Sequence, residues 1–282
     1  MAPSSVSPQF DKVGYWSPNT ASIDWCENNY VVTPYIAEFW NSTSSMAILI
    51  LASMGYFALP KGAPKRHRLT MATFAIIGLG SVLFHGTLRH KMQLLDELPM
   101  LYSATVMMFI CIETKYGKQG VWLRAVLALW LALTTYIFST TTGTIQSISF
   151  QTNYMLMQFG MIYYLRDFHV ERRAIRPNPD VSTLIRSAWR YALSAATVWL
   201  VDYNLCIYIN GVSPESFFSF NPQFHAWWHL FSCVAVYHLA ILIIYYHHDM
   251  RNEKPFITKK FGFVPAITFN KTEALYKKKK KQ

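Results

Sequence analysis

Charge is what this chain has least of. Only 15% of its 282 residues are Asp, Glu, Lys or Arg, against about 25% in soluble domains. Cysteine is also scarce. Four are present, Cys26, Cys111, Cys206 and Cys233, with no CxxC pair, which excludes a thiolate zinc module and a disulfide-dense scaffold. The N-terminal stretch lacks a basic segment followed by an apolar one, so no cleaved signal peptide is expected. The first apolar tract then serves as both targeting signal and first membrane span. No internal repeat is evident. What fills the chain instead is apolar: 52% hydrophobic and 16% aromatic residues, concentrated in long tracts with few charges, the signature of spanning helices.

Seven tracts qualify: 36–59, 69–88, 94–111, 121–139, 145–165, 183–209 and 224–246. Each is about 18–27 residues, near the ~20 that cross ~30 Å of hydrocarbon. The net charge of +11 does not point to nucleic acid, because the basic residues sit in short segments between tracts and in a terminal lysine run. That is how membrane orientation is encoded. Lys61, Lys65, Arg66 and Arg68 follow the first span; Lys115, Lys118 and Arg124 follow the third; Arg166, Arg172, Arg173 and Arg176 follow the fifth. The fourth and sixth loops carry no Lys or Arg. The second loop, with Arg89 and Lys91, is the exception. The expected fold is therefore an all-α membrane protein, a seven-transmembrane helix bundle with the N-terminus lumenal and the C-terminus cytosolic. Its parts are a lumenal segment (1–35), the bundle (36–246) and a basic cytosolic tail (247–282).

Within this frame the histidines stand out. Ser81 and His85 are four residues apart in GLGSVLFH, and His225 and His229 are four apart in FHAWWH, so each pair shares a helix face one turn apart. Asp96 follows eleven residues after His85. The topology puts all five at the lumenal ends of their spans, at one depth. Imidazole favours zinc over calcium or magnesium, and three protein nitrogens leave a fourth tetrahedral position for water. Asp96 then reads as general base, and Ser81 as a hydrogen-bond donor to a developing oxyanion. In a membrane protein this combination points to a hydrolase of lipid-like substrates. Ionisable groups inside membranes are costly and mark function.

The stretches IDWCENNYVVTPYIAEFWN, GSVLFHGTL, MQLLDELPM and FHAWWH strongly resemble the alkaline ceramidase family, and the resemblance runs from about Tyr15 into the seventh span. It implies a seven-helix membrane amidase of the endoplasmic reticulum or Golgi that cleaves ceramides to a sphingoid base and a fatty acid. It also implies zinc on His85, His225 and His229, with Ser81 and Asp96 completing the site. The partners expected are the ceramide-type substrate and membrane lipids, with no nucleic acid and no obligate protein partner. The resemblance further implies calcium on Asp24, Glu27, Asn29, Glu38 and the backbone carbonyl of Trp25, in a structural or regulatory role. Spacing alone would read that segment as a solvated acidic loop, since it lacks the Gly and Glu positions of an EF-hand. The competing reading is a seven-helix zinc-containing receptor for a lipid or hormone, of the adiponectin-receptor-like type, which places its N-terminus in the cytosol.

Cys26 is lumenal in this topology and Cys206 lies near the lumenal end of the sixth span, so a bridge between them is permitted by compartment; two free thiols are the alternative. Asp202 either lines a substrate cavity or satisfies a neighbouring helix. His247 and His248 read as interfacial, His90 as a loop residue, and Trp227 and Trp228 as packing residues. Lys279 and Lys280 match a dilysine retrieval pattern, as any poly-lysine run would.

Overall fold

A computed structural model describes residues 12–269; Lys279, Lys280 and the rest of the lysine run lie outside them. The described chain forms seven helices: α1 (Phe39–Ala58), α2 (Lys65–Thr87), α3 (His90–Tyr116), α4 (Val121–Thr140), α5 (Gly143–Ile175), α6 (Pro179–Ile209) and α7 (Phe224–Asp249). Five of these, α2, α3, α4, α6 and α7, are long and apolar enough to cross a membrane. Large apolar side chains such as Leu129, Phe159, Leu193 and Leu200 point outward from α4, α5 and α6. In water they would be a liability; against lipid they are solvated.

Helices α1, α2, α3 and α7 form the packed centre, with α5 against α3, α6 against α7, and α4 against α3 and α5. Two glycines let α2 lie this close to its neighbours. A Cβ on Gly78 would fall 2.4 Å from the Leu49 nitrogen of α1, and one on Gly80 would fall 2.2 Å from the Leu95 carbonyl oxygen of α3. The second approach sits beside Ser81 and Asp96 in sequence, so it sets the spacing of two site residues. The α2–α3 connection is equally tight. Leu88 takes a left-handed conformation at φ 48 and closes α2 through its N–H to the Phe84 carbonyl at 2.7 Å. At the other end of the bundle, α6 starts on Asn178, whose side chain accepts the Asp180 N–H at 3.0 Å, with Pro179 in the first turn. Asparagine at the cap and proline just inside are the residue types this position favours.

Three expectations need correction. The chain is not all-α: β1 (Phe256–Lys260) and β2 (Val264–Thr268) pair antiparallel, with Phe256 opposite Thr268 and Lys260 opposite Val264. Phe261 and Gly262 supply the positive φ values of the loop between them, and β2 buries Val264, Ala266 and Ile267. The Tyr237 hydroxyl of α7 donates to the Pro265 carbonyl at 2.7 Å, so part of the expected tail folds back along the bundle. Second, His247 and His248 are buried rather than interfacial. His247 Nδ1 lies 2.9 Å from the Thr114 hydroxyl and its Nε2 3.0 Å from Arg66, which also pairs with Glu113. Third, His90 begins α3 instead of lying in a loop.

Helices α3 and α5 also run beyond their expected apolar tracts. Their polar ends are held by ion pairs, Lys115 to Asp167 at 2.6 Å and Arg172 to Asp249 of α7 at 2.7 Å.

Candidate metal centre

His85 lies in the last turn of α2, and His225 and His229 lie in the first two turns of α7. A left-handed Gln223 at φ 59 starts α7, and Asp202 of α6 fixes its first turn. Asp202 Oδ1 accepts the His225 N–H at 3.2 Å while its Oδ2 accepts the Cys26 N–H at 3.3 Å. That decides between the two roles weighed for Asp202: it satisfies backbone donors on two other segments.

The three imidazoles are buried and converge. One nitrogen from each lies within 4.8 Å of the others, and ring centroids are 4.7 to 5.2 Å apart. Three tetrahedral ligands with bonds of about 2.1 Å to one ion lie about 3.4 Å apart, so binding asks these rings to draw in by up to about 1.4 Å. Two buried ring nitrogens, His225 Nδ1 and His229 Nε2, have no hydrogen-bond partner among the described residues. Buried polar atoms are ordinarily satisfied; a cation between the rings would take up these lone pairs. The residues therefore fit a metal with a preference for imidazole.

Each ring is held differently. His85 Nδ1 is 2.5 Å from Glu38 Oε2. His229 Nδ1 is 2.9 Å from the Ser44 hydroxyl and 3.4 Å from that of Ser45. His225 is sandwiched by Trp25, stacked at 3.7 Å, and Trp228, stacked at 4.9 Å. Ser81 sits one turn before His85, 2.9 Å from Ser45 Oγ. Ser81 and Asp96 together line one end of a cavity of about 60 Å³. Its other walls are mostly apolar or aromatic, among them Ile77, Met100, Met107 and Trp228, with Gln158 and Ser232 also polar. A much larger groove of about 1280 Å³ runs between α1, α6, α7 and the hairpin, but none of the five site residues lines it.

The acidic N-terminal segment folds directly over the histidines. Glu27 accepts the first-turn N–H groups of Trp40 and Asn41 at 2.7 and 2.8 Å, capping α1 from a distance. Glu38 accepts the Trp25 N–H at 3.0 Å and the Asn41 side-chain amide at 3.2 Å. Asp24 accepts the side-chain amides of Asn19 and Asn29 at 3.1 Å. Burial, then the adjacent Glu38, pushes the Glu27 carboxyl up to about 8. A buried acid held by amide donors alone, as Glu27 is, is what a hard cation relieves. The acids are less tightly drawn together than the imidazoles, which form the one group within 4.8 Å among the described residues. Cys26, in the middle of this segment, is disulfide-bonded to Cys206 of α6.

A family model described as Ceramidase matches residues 17–268. The chain belongs to the ceramidase family. It is 30% identical over 275 residues to "Alkaline ceramidase 3" of Mus musculus, covering 94% of this chain and 98% of that one. It is 26% identical over 261 residues to "Alkaline ceramidase" of Arabidopsis thaliana, covering 91% and 96%. A shorter match, 44% over 101 residues, links it to "Alkaline ceramidase YPC1" of Saccharomyces cerevisiae, covering 35% and 32%.

In this ceramidase-family chain, sequence reasoning missed the contacts that support the histidines. Glu38 was assigned to calcium alone, yet it touches His85. Ser44 and Ser45 were passed over, although they follow Asn41 by three and four residues and so share its face of α1. That spacing in FWNSTSS was the available signal.

Proposed function

We propose that this protein hydrolyses the amide bond of ceramides, releasing a sphingoid base and a free fatty acid. The observation that carries this reading is the convergence of three buried imidazoles in a chain of the ceramidase family, with Ser45 linking His229 to Ser81 at the wall of the cavity that Asp96 also lines. Zinc on His85, His225 and His229 would supply a Lewis acid and lower the pKa of water from about 15.7 toward about 7. Asp96 receives a proton at its carboxylate and returns it to the departing amine. Ser81, between Asp96 and Ser45, donates a hydrogen bond to the carbonyl oxygen as charge develops there. The apolar cavity excludes water and takes hydrocarbon.

The reading extends to the whole chain. Seven helices cross an endoplasmic reticulum or Golgi membrane, with residues 1–35 lumenal, 36–246 forming the catalytic bundle and 247–282 cytosolic. The exposed apolar surfaces of α4, α5 and α6 and the alternation of basic loops support this arrangement. Calcium at Asp24, Glu27, Asn29, Glu38 and the Trp25 carbonyl ties the N-terminal segment to α1, supported by the buried acids there. The family match argues against the receptor alternative.

The test is release of sphingoid base by purified protein from ceramide, dihydroceramide and phytoceramide, with zinc content measured in parallel. Wild type is expected to turn over at least one of these, and His85→Ala and Asp96→Ala to lose nearly all activity. Equal release by all three proteins would refute the mechanism. Mapping introduced glycosylation sites at the N-terminus checks the orientation.

A further inference from the structure

A ligand histidine must present a bare nitrogen to its metal, and something must keep the proton on the other one. For His85 that is a carboxylate, Glu38. For His229 the structure offers only the hydroxyls of Ser44 and Ser45. Ser44 donates its one proton to the Asn41 carbonyl at 3.0 Å. Ser45 donates its own to the same carbonyl at 2.8 Å. Serines inside helices commonly bond back to a carbonyl three or four residues earlier. Each serine therefore has an acceptor for its own proton and is able to turn a lone pair toward His229 Nδ1. Nε2 is the buried ring nitrogen with no partner among the described residues; with Nε2 bare toward a metal, Nδ1 carries the imidazole proton, because neutral imidazole has one N–H and one acceptor nitrogen.

We propose that Ser44 is a positioning residue that holds His229 as its Nδ1–H tautomer, with Nε2 aimed at the metal. The inference rests on the reading of the three histidines as a metal site. Ser44 carries this role rather than Ser45 because its oxygen is nearer, 2.9 against 3.4 Å. Ser45 is also 2.9 Å from Ser81 Oγ. The two neighbouring serines thus serve different members of the site. Ser44 orients a ligand, and Ser45 supports the hydroxyl beside Asp96. Asn41 anchors both, and its own side chain donates to Glu38, so one residue underlies the partners of His85 and His229.

The experiment uses the full-length chain in lipid nanodiscs and reads zinc affinity by competition with a chromophoric chelator, with thermal unfolding as the folding control. Ser44→Ala is expected to weaken zinc about tenfold, at the low end of the usual 10–100-fold cost of losing an outer-shell partner, while Ser44→Thr, which keeps the oxygen, stays within about twofold of wild type. Ser45→Ala is expected to weaken zinc less than Ser44→Ala does. Wild-type affinity in Ser44→Ala, or a Ser44→Thr protein as weak as Ser44→Ala, overturns the proposal. His229→Ala separates the two levels of the argument. If it binds zinc as tightly as wild type, the metal-site reading fails and the role of Ser44 falls with it.

Discussion

Glu38 and His85 are both buried, and the Nδ1–H of the histidine meets the carboxylate at 2.5 Å. The same carboxylate accepts the backbone N–H of Trp25, whose indole stacks on His225. One side chain therefore connects the acidic N-terminal segment to two of the three histidines. The Asn41 side chain, donating to that carboxylate, extends the connection through Ser44 to the third. A change in the acidic segment must be felt at the metal centre, because its partners are the groups that orient the rings.

Glu38→Gln is the sharpest test of that connection. Glutamine keeps the size and one acceptor oxygen but removes the charge that favours the His85 N–H. Outer-shell carboxylates of this kind contribute roughly 10–100-fold to metal affinity or activity. The expected result is a loss of that order in both zinc affinity and kcat/KM, with calcium affinity weakened as well. Zinc affinity unchanged while calcium affinity falls would show that Glu38 serves only the acidic segment.

How far the sequence revealed this arrangement depended on distance along the chain. The histidines and Ser81 were legible because four-residue spacing is a local property of a helix, and the expected membrane orientation put them at one depth. The contact of Glu38 with His85 was not legible, since 47 residues separate them and nothing local marks the pair. Ser44 and Ser45 were hidden for a different reason: a serine in an apolar helix is ordinarily satisfied by its own backbone, and these two are. Only the direction of their remaining lone pairs gives them a role. The hairpin was masked by composition, because five-residue strands in a lysine-rich stretch carry little periodicity. Residue types fixed the helices; convergence of distant side chains fixed the site.

The acidic segment should make stability depend on pH in a way that calcium cancels. A glutamate in an unfolded chain releases its proton near 4.5, whereas Glu27 in the fold holds it to about 8. Between those values the folded state binds a proton that the unfolded state lacks, so stability falls as pH rises. Calcium, by compensating the buried carboxylate, removes that penalty. Thermal unfolding in a calcium-selective chelator is therefore expected to show a melting temperature that declines from acid to mildly alkaline pH, and saturating calcium should flatten the slope. Glu27→Gln should make it shallower without calcium. A chelated wild type whose stability rises over this range would contradict the assignment.

The Cys26–Cys206 bridge closes 180 residues of sequence separation, and it shares Cys26 with the Asp202 contact that fixes the start of α7. Removing a native disulfide typically costs about 2–5 kcal/mol. Cys26→Ser, Cys206→Ser and the double variant are expected to lose the same stability, since each breaks the same bond. Asp202 still holds the His225 N–H in all three, so zinc affinity should fall less than in Glu38→Gln. Unequal losses among the three variants would mean that a lone thiol, not the missing bond, causes the damage.

Gly80 offers a way to move Ser81 from Asp96 without touching either. A Cβ there would lie 2.2 Å from the Leu95 carbonyl oxygen and 2.9 Å from the Asp96 nitrogen, both backbone atoms that cannot rotate away. Gly80→Ala must therefore push α2 off α3 at the level of Ser81 and Asp96. Overpacking of this kind costs about 1–3 kcal/mol, and a displacement near 1 Å at reacting groups can cost about a hundredfold in rate. Gly86→Ala is the control. It lies in the same helix beside His85, but its added Cβ meets only the Ser42 hydroxyl at an ordinary 3.6 Å. The expected outcome is a Gly80→Ala protein that keeps zinc yet loses most of its kcat, and a Gly86→Ala protein close to wild type in both. His85 shares α2 with Gly80, so zinc content is read beside kcat, and metal retention with lost turnover would locate the defect in the Ser81–Asp96 pair. Full activity in Gly80→Ala would show that this spacing is not what the reaction requires.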